Sequence, residues 1–224
     1  MTSAPPAVSA VTFHGRDVLF AHWPVAPSRL DGLVPDPLEV ATFDGDAWVG
    51  ALAHEVQLSA GGRRVAGPFP QLNVRTYVRH DGQSGVYFLG LLTGSRPGGL
   101  LGEAVFDLPV AHGRLSLSRG DRLTFRSRGR AGGRPLRFDA RYGRPEGVST
   151  PAEGSLESFL VERNRYFTVE EGVSVGEITR EPWELAPVDG DIRVCSLPAV
   201  ADPGGAVCRY SPGYEMRLSR LEPA

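Results

Sequence analysis

The sequence predicts an α+β protein that is mainly β, an antiparallel barrel or sandwich carrying one main helix. Three observations lead there. Glycine (28) and proline (19) are too frequent in 224 residues for long helices. Short apolar–polar alternations recur along the chain, separated by turn-forming clusters. Only residues 155–167 carry a solid helical pattern.

Taken in order, residues 1–10 (MTSAPPAVSA) read as a small, mobile arm ahead of a single domain over 11–224. After Pro24-Val25-Ala26-Pro27, residues 28–33 fit one helical turn, ended by Pro35 and Pro37. Strands are expected at 38–43 and 47–58, around the hairpin dipeptide Asp44-Gly45. Strands at 72–79 and 86–92 flank a second, longer turn at 80–85. The series continues at 103–108, 114–118, 122–128 and 135–142. In the helical segment Ser155 is a natural N-cap and Glu157 suits the first turn, while Leu156, Phe159, Leu160 and Phe167 share a stripe. Strands resume at 173–179, 192–196, 206–210 and 215–218.

Composition excludes whole chemistries. All 24 basic residues are arginine, so no side-chain amine can form a Schiff base and no P-loop lysine exists. A net charge of −2 argues against a protein built to neutralise phosphates. Cys195 and Cys208 cannot alone make a four-ligand zinc site; they could face each other across a hairpin at 202–205, and nothing else points to an oxidising compartment. The histidines show no HxH or HExxH spacing, so neither a metal nor a cofactor is expected. The N-terminus does not read as a signal peptide and no apolar run spans a membrane, which predicts a cytoplasmic protein without membrane contact.

Five ordered motifs carry a resemblance. Phe20-Ala21-His22-Trp23-Pro24-Val25 is followed by Thr42-Phe43-Asp44-Gly45-Asp46-Ala47-Trp48-Val49-Gly50, then by Asn73-Val74-Arg75-Thr76-Tyr77-Val78. Gly85-Val86-Tyr87-Phe88-Leu89 and Ser155-Leu156-Glu157 with Glu162-Arg163 complete the set. Across residues 20–187 the chain resembles the YqjF-like family of uncharacterised proteins, which implies the barrel fold of acetoacetate decarboxylase. The decarboxylase's reactive lysine follows a Phe-Pro-like motif; Val105-Phe106-Asp107-Leu108-Pro109-Val110-Ala111 is similar, with apolar Val110 and Ala111 in the lysine positions. Gln71 stands where the YqjF-like pattern usually has glutamate. The resemblance therefore implies a pocket without the amine nucleophile.

Strand alternation puts Asn73, Arg75 and Tyr77 on one face and Val74, Thr76 and Val78 on the other. If the second face packs against the helix, Arg75 points inward. There it serves either as a clamp for a small carboxylate or phosphate, or as half of a structural ion pair with Glu55 or Glu103. Asn73, Tyr77 and Gln71 are the polar groups expected beside it. His22 is the leading acid–base candidate because an imidazole titrates near neutrality, with Glu103 as a second. Arg163 is expected to tie the helix to the barrel. Residues 114–144 hold ten arginines against Asp121 and Asp139, patterned as a hairpin with one apolar and one basic face. A solvated face that guards a sheet edge is the simpler account, and no motif supports nucleic acid as a partner. The expected function is binding of a small anionic or carbonyl-containing molecule inside the barrel. The alternative is a non-catalytic scaffold or ligand sensor whose barrel is filled, and a homo-oligomer stays open.

Overall fold

The computed structural model describes residues 8–100, 108 and 110–224. Its strands are β1 (Val8–Val25), β2 (Glu39–Val40), β3 (Ala47–Ala60), β4 (Arg63–His80), β5 (Gln83–Thr93), β6 (Val110–His112), β7 (Arg114–Arg119) and β8 (Leu123–Ala131). Then come β9 (Arg134–Tyr142), β10 (Arg165–Val169), β11 (Val173–Arg180), β12 (Ala186–Pro187), β13 (Asp191–Ser196), β14 (Val207–Ser219) and β15 (Glu222–Pro223). A 3₁₀ turn occupies Pro27–Leu30, residues 96–100 are helical, and helix α1 is Leu156–Val161.

The larger sheet runs β12-β14-β1-β3-β4-β5-β10-β11-β15. Because β11 also pairs with β14 at Ile178↔Leu218, the succession of ladders returns to β14. A four-stranded sheet, β13-β9-β8-β7, lies against one face. Its Phe125, Leu136, Phe138 and Tyr142 bury against Leu19, Ala51 and Val74, each large side chain contributing on the order of 1.5–3 kcal/mol. The Val74 face therefore packs on this second sheet, not on the helix. The opposite face of β1, β3, β4 and β5 meets α1, Tyr166 and Trp183, and this is where Arg75 points.

Several expectations are corrected. The helix ends at Val161, because Tyr166-Phe167-Thr168-Val169 is aromatic and β-branched and pairs instead with β5 and β11. The N-cap holds: the Ser158 N–H donates to Ser155 Oγ at 3.2 Å. Residues 8–10 belong to β1, while 1–7 lie outside the described residues. Much of β1 escapes a period-two reading because Asp17, at φ 53°, inserts an extra residue between Arg16 and Leu19; the inward face changes from Phe13 to Phe20 across this bulge. β14 is one strand across Pro212, which falls opposite that bulge, between Arg16↔Gly213 and Val18↔Ser211. The turn expected over 80–85 is tighter: Asp81-Gly82 alone joins β4 and β5, both at positive φ. The strand expected at 103–108 lies outside the described residues apart from Leu108. The two cysteines do not share a hairpin: Cys195 stands in β13 and Cys208 in β14, both free, with burial pushing each thiol up to about 11.

Candidate functional site

Strands β3, β4, β5, β11 and β14 together with α1 enclose a cavity of about 70 Å³. Most of its wall is apolar, from Leu52, Phe88, Val161 and Trp183 among others. Gln71, Asn73 and Arg75 line it, in neighbouring register to His54 through the His54↔Gln71 pair. Arg163 and Arg180 enter from the other side.

The three arginines are treated differently. Arg180 is paired: its Nη2 lies 2.9 Å from Glu162 Oε2 and donates to the Val161 carbonyl at 2.8 Å. Glu162 also accepts the Trp183 backbone N–H at 2.8 Å, tying the end of α1 to the segment after β11. Arg75, only 7% exposed, donates from Nη2 to the Leu160 carbonyl at 3.0 Å and has no hydrogen-bond partner at Nε. Its guanidinium carbon is 6.0 Å from the Phe20 ring centre and 5.8 Å from that of Tyr77. Arg163 lies 4.4 Å over the Phe159 ring, with its buried Nε also unpartnered. Burial pulls the Arg163 guanidinium below its ordinary value, partly offset by Tyr77, and Arg75 and Arg79 act in the same direction as burial. Neither Arg75 nor Arg163 has a carboxylate partner among the described residues.

Two further orphaned atoms line the same space, Asn73 Oδ1 and His54 Nε2. Tyr214 Oη lies 3.1 Å from His54 Nδ1. With the hydroxyl as donor, the neutral imidazole carries its proton on Nε2, aimed at the cavity. Burial and the nearby Arg75 lower His54 to about 3, so that neutral form persists through ordinary pH.

The expected ion pair of Arg75 with Glu55 does not form. Glu55 instead accepts from Arg16 and Arg119 at the junction of the two sheets, and the Leu160 carbonyl engages Arg75 at Nη2 while Nε stays unpartnered. Tyr77 does not line the cavity; its hydroxyl donates to the Leu160 carbonyl at 2.7 Å, behind Arg75. His22, the leading acid–base candidate, stands apart from this cavity. It is 1% exposed, lies outside the lining, and is held well below the usual imidazole range by burial and then by Arg75 and Arg209. Glu103 lies outside the described residues. Of the segment aligned with the lysine motif, Leu108 lines the cavity and Val110 packs into the same apolar cluster. His54 and Arg180 were not anticipated, although alternation along β3 and β11, once paired, places both on the inner face. Among the described residues no group of three His, Cys, Asp or Glu could hold a metal ion.

The model of the DUF2071 family, described as "Uncharacterized conserved protein", matches residues 12–215. "Uncharacterized protein YqjF" of Bacillus subtilis (strain 168) is 33% identical over 202 residues, covering 86% of this chain and 81% of that protein. Among solved structures, an acetoacetate decarboxylase superposes with a TM-score of 0.65 at 15% identity, covering 98% of this chain and 89% of the other. The enduracididine biosynthesis enzyme MppR complexed with pyruvate gives 0.63 at 16%, covering 99% and 91%. An acetoacetate decarboxylase-like enzyme from Sphingomonas wittichii RW1 gives 0.61 at 16%, covering 99% and 95%. At such identities the likeness is one of fold.

Proposed function

Because this chain belongs to the DUF2071 family and folds like acetoacetate decarboxylase-like proteins, we propose that its cavity binds a small carboxylate of the oxo-acid class. In this reading the returning ladders form a barrel, and the ligand sits inside it. The observation that carries the proposal is the convergence on one cavity of buried Arg75 and half-buried Arg163, neither with a carboxylate partner among the described residues. A buried cation is costly unless paired, and a carboxylate accepts the guanidinium fork bidentately. Arg75 and Arg163 orient the anion, His54 donates from Nε2, and the Asn73 amide meets a second polar group. The volume of about 70 Å³ suits a ligand of a few heavy atoms. MppR, described in complex with pyruvate, supplies the probe.

Binding is the proposed activity, without Schiff-base chemistry, since the chain has no lysine. The limited volume favours the competing reading of a filled scaffold, and one experiment separates the two. Thermal unfolding is followed with rising pyruvate, where saturation at about 100 times Kd stabilises by about 2.7 kcal/mol. The wild type should shift and Arg163→Met should not; equal absence of a shift with pyruvate and with acetate supports the scaffold. Borohydride added with pyruvate should modify no side chain, and an adduct mapped to the cavity by mass spectrometry would overturn the non-covalent reading.

A further inference from the structure

The arginine-rich hairpin contains a second concentration of unpaired positive charge, remote from the cavity in the fold's layering. In the register of the four-stranded sheet, Arg114 faces Arg128 and Arg128 faces Arg137. Like charges directly opposite on a sheet repel. Other arginines of this stretch find acids: Arg119 pairs with Asp17 and Glu55, and Arg144 with Asp17. Arg114, Arg126, Arg128 and Arg137 form no ion pair among the described residues. Three of them, with His112, line an open hollow of about 560 Å³ between this sheet and the end of β5. Asp139, the acid among its described lining residues, stands opposite Arg126 without pairing to it; Asp139 Oδ1 accepts the Ser127 N–H at 3.3 Å.

We propose that this hollow binds a compact oligophosphate, such as the phosphate tail of a nucleotide. Exposed ion pairs are individually weak, so a site in open solvent needs several close-set negative charges. Neighbouring phosphates supply them, and each guanidinium can hold phosphate oxygens in a two-point fork. A long nucleic acid fits less well. Among the described residues the hollow has no Phe, Tyr or Trp on which bases could stack, and the chain as a whole is negative.

The test is calorimetric titration of the full chain with sodium tripolyphosphate at low ionic strength, followed by ATP. Both should bind saturably and weaken as salt rises. Arg114→Gln/Arg128→Gln should weaken tripolyphosphate binding about tenfold or more, since charge-assisted hydrogen bonds are lost at exposed positions where folding is not at stake. Asp139→Asn keeps the acceptor for Ser127, removes the opposing charge, and should tighten binding severalfold. Arg163→Met, inside the cavity, should change nothing. No saturable heat, equal affinity in the double variant, or loss in Arg163→Met alone overturns the proposal. So does a thymidine oligonucleotide that binds and is not displaced by tripolyphosphate.

Discussion

Two regions of this protein gather arginines, and they treat the positive charge in opposite ways. At the junction of the two sheets, Asp17 and Glu55 are 8% exposed and surrounded by donors. Asp17 receives Arg119 Nε at 2.7 Å, Arg144 Nε at 3.1 Å and the Tyr210 hydroxyl at 3.4 Å. Arg119 continues to both oxygens of Glu55 at 3.1 Å. Every cation there meets an anion. In the cavity, among the described residues, Arg75 meets a carbonyl and aromatic faces, and Arg163 meets rings. A paired network is what fastening one sheet to another requires. Guanidiniums without carboxylate partners among the described residues, beside orphaned polar atoms, are what the proposed anion site rests on.

The sharpest way to break this comparison is at Asp17. Asp17→Ala removes three charge-assisted or phenolic contacts and puts alanine at φ 53°. The expected loss is about 2–3 kcal/mol, mostly backbone strain and lost hydrogen bonds because the arginines left behind are solvated, read from urea unfolding; a loss below about 1 kcal/mol would mean that the junction is not what holds the sheets together. Acid should loosen the same junction. Burial alone would raise the Glu55 carboxyl, but hydrogen bonds and charge from Arg119 and Arg16 overcome it and leave it lowered. A lowered folded value means that its contribution is complete above the unfolded carboxylate range and is lost as pH falls through the folded one. The difference in Tm between wild type and Glu55→Gln should therefore be largest near neutrality and shrink below about pH 4.

The cavity responds to acid in a different window. His54 is held at about 3, while an unfolded histidine titrates near 6.5. Protons therefore favour the unfolded chain from about pH 6.5 downward, and stability falls until the folded value is reached. By about pH 5 this amounts to roughly 2 kcal/mol. His22, lowered in the same direction, adds to the slope. His54→Gln should flatten part of the decline between pH 6.5 and 4.5, leaving the lower Glu55 transition in place. An unchanged profile would mean that His54 is not buried neutral. Pyruvate bound beside it should also flatten the decline, because an adjacent anion favours the imidazolium.

Tyr77→Phe tests the link between cavity and helix at smaller cost. The Leu160 carbonyl has two donors, Tyr77 and Arg75, so losing the hydroxyl does not orphan it. A loss of about 1 kcal/mol is expected in the unfolding midpoint.

Much of this arrangement was legible in residue order. Alternation in β4 set Asn73 and Arg75 on the inward face, and the basic and apolar faces of β8 and β9 follow Leu123, Phe125, Arg126 and Arg128 as written. What escaped was non-local. The sequence alone offers Glu55 as a partner for Arg75, and only the four-stranded sheet, folding back against β1 and β3, brings Arg119 to it. The bulge at Asp17 reverses the alternation of β1, and nothing in the sequence marks it without the opposing Pro212. The helix was overextended because Phe167 falls at a helical interval from Leu160, whereas its preference for a strand is realised only by pairing with β5. His54 was passed over because a single histidine on a strand carries no signal until register places it beside Gln71.

The smallest expected stability effect is the most discriminating. Arg75→Met keeps the stem's volume and removes all five donors. At the sheet junction such a change would strand carboxylates; here it strands none, since the Leu160 carbonyl keeps Tyr77 at 2.7 Å. It also removes a desolvated charge whose Nε has no partner. The ligand-free protein should therefore unfold within about 1 kcal/mol of wild type, on either side. The effect of pyruvate should separate them: stabilisation present in wild type should vanish in Arg75→Met, because the anion loses the guanidinium that orients it. A loss of about 3–5 kcal/mol without ligand would place Arg75 with Arg119 as a structural cation. Retained pyruvate stabilisation would move the anion's recognition to Arg163 alone. Combining Arg75→Met with Tyr77→Phe closes the argument. The double variant leaves the Leu160 carbonyl buried without either donor, so its cost should exceed the sum of the single changes by about 1–3 kcal/mol.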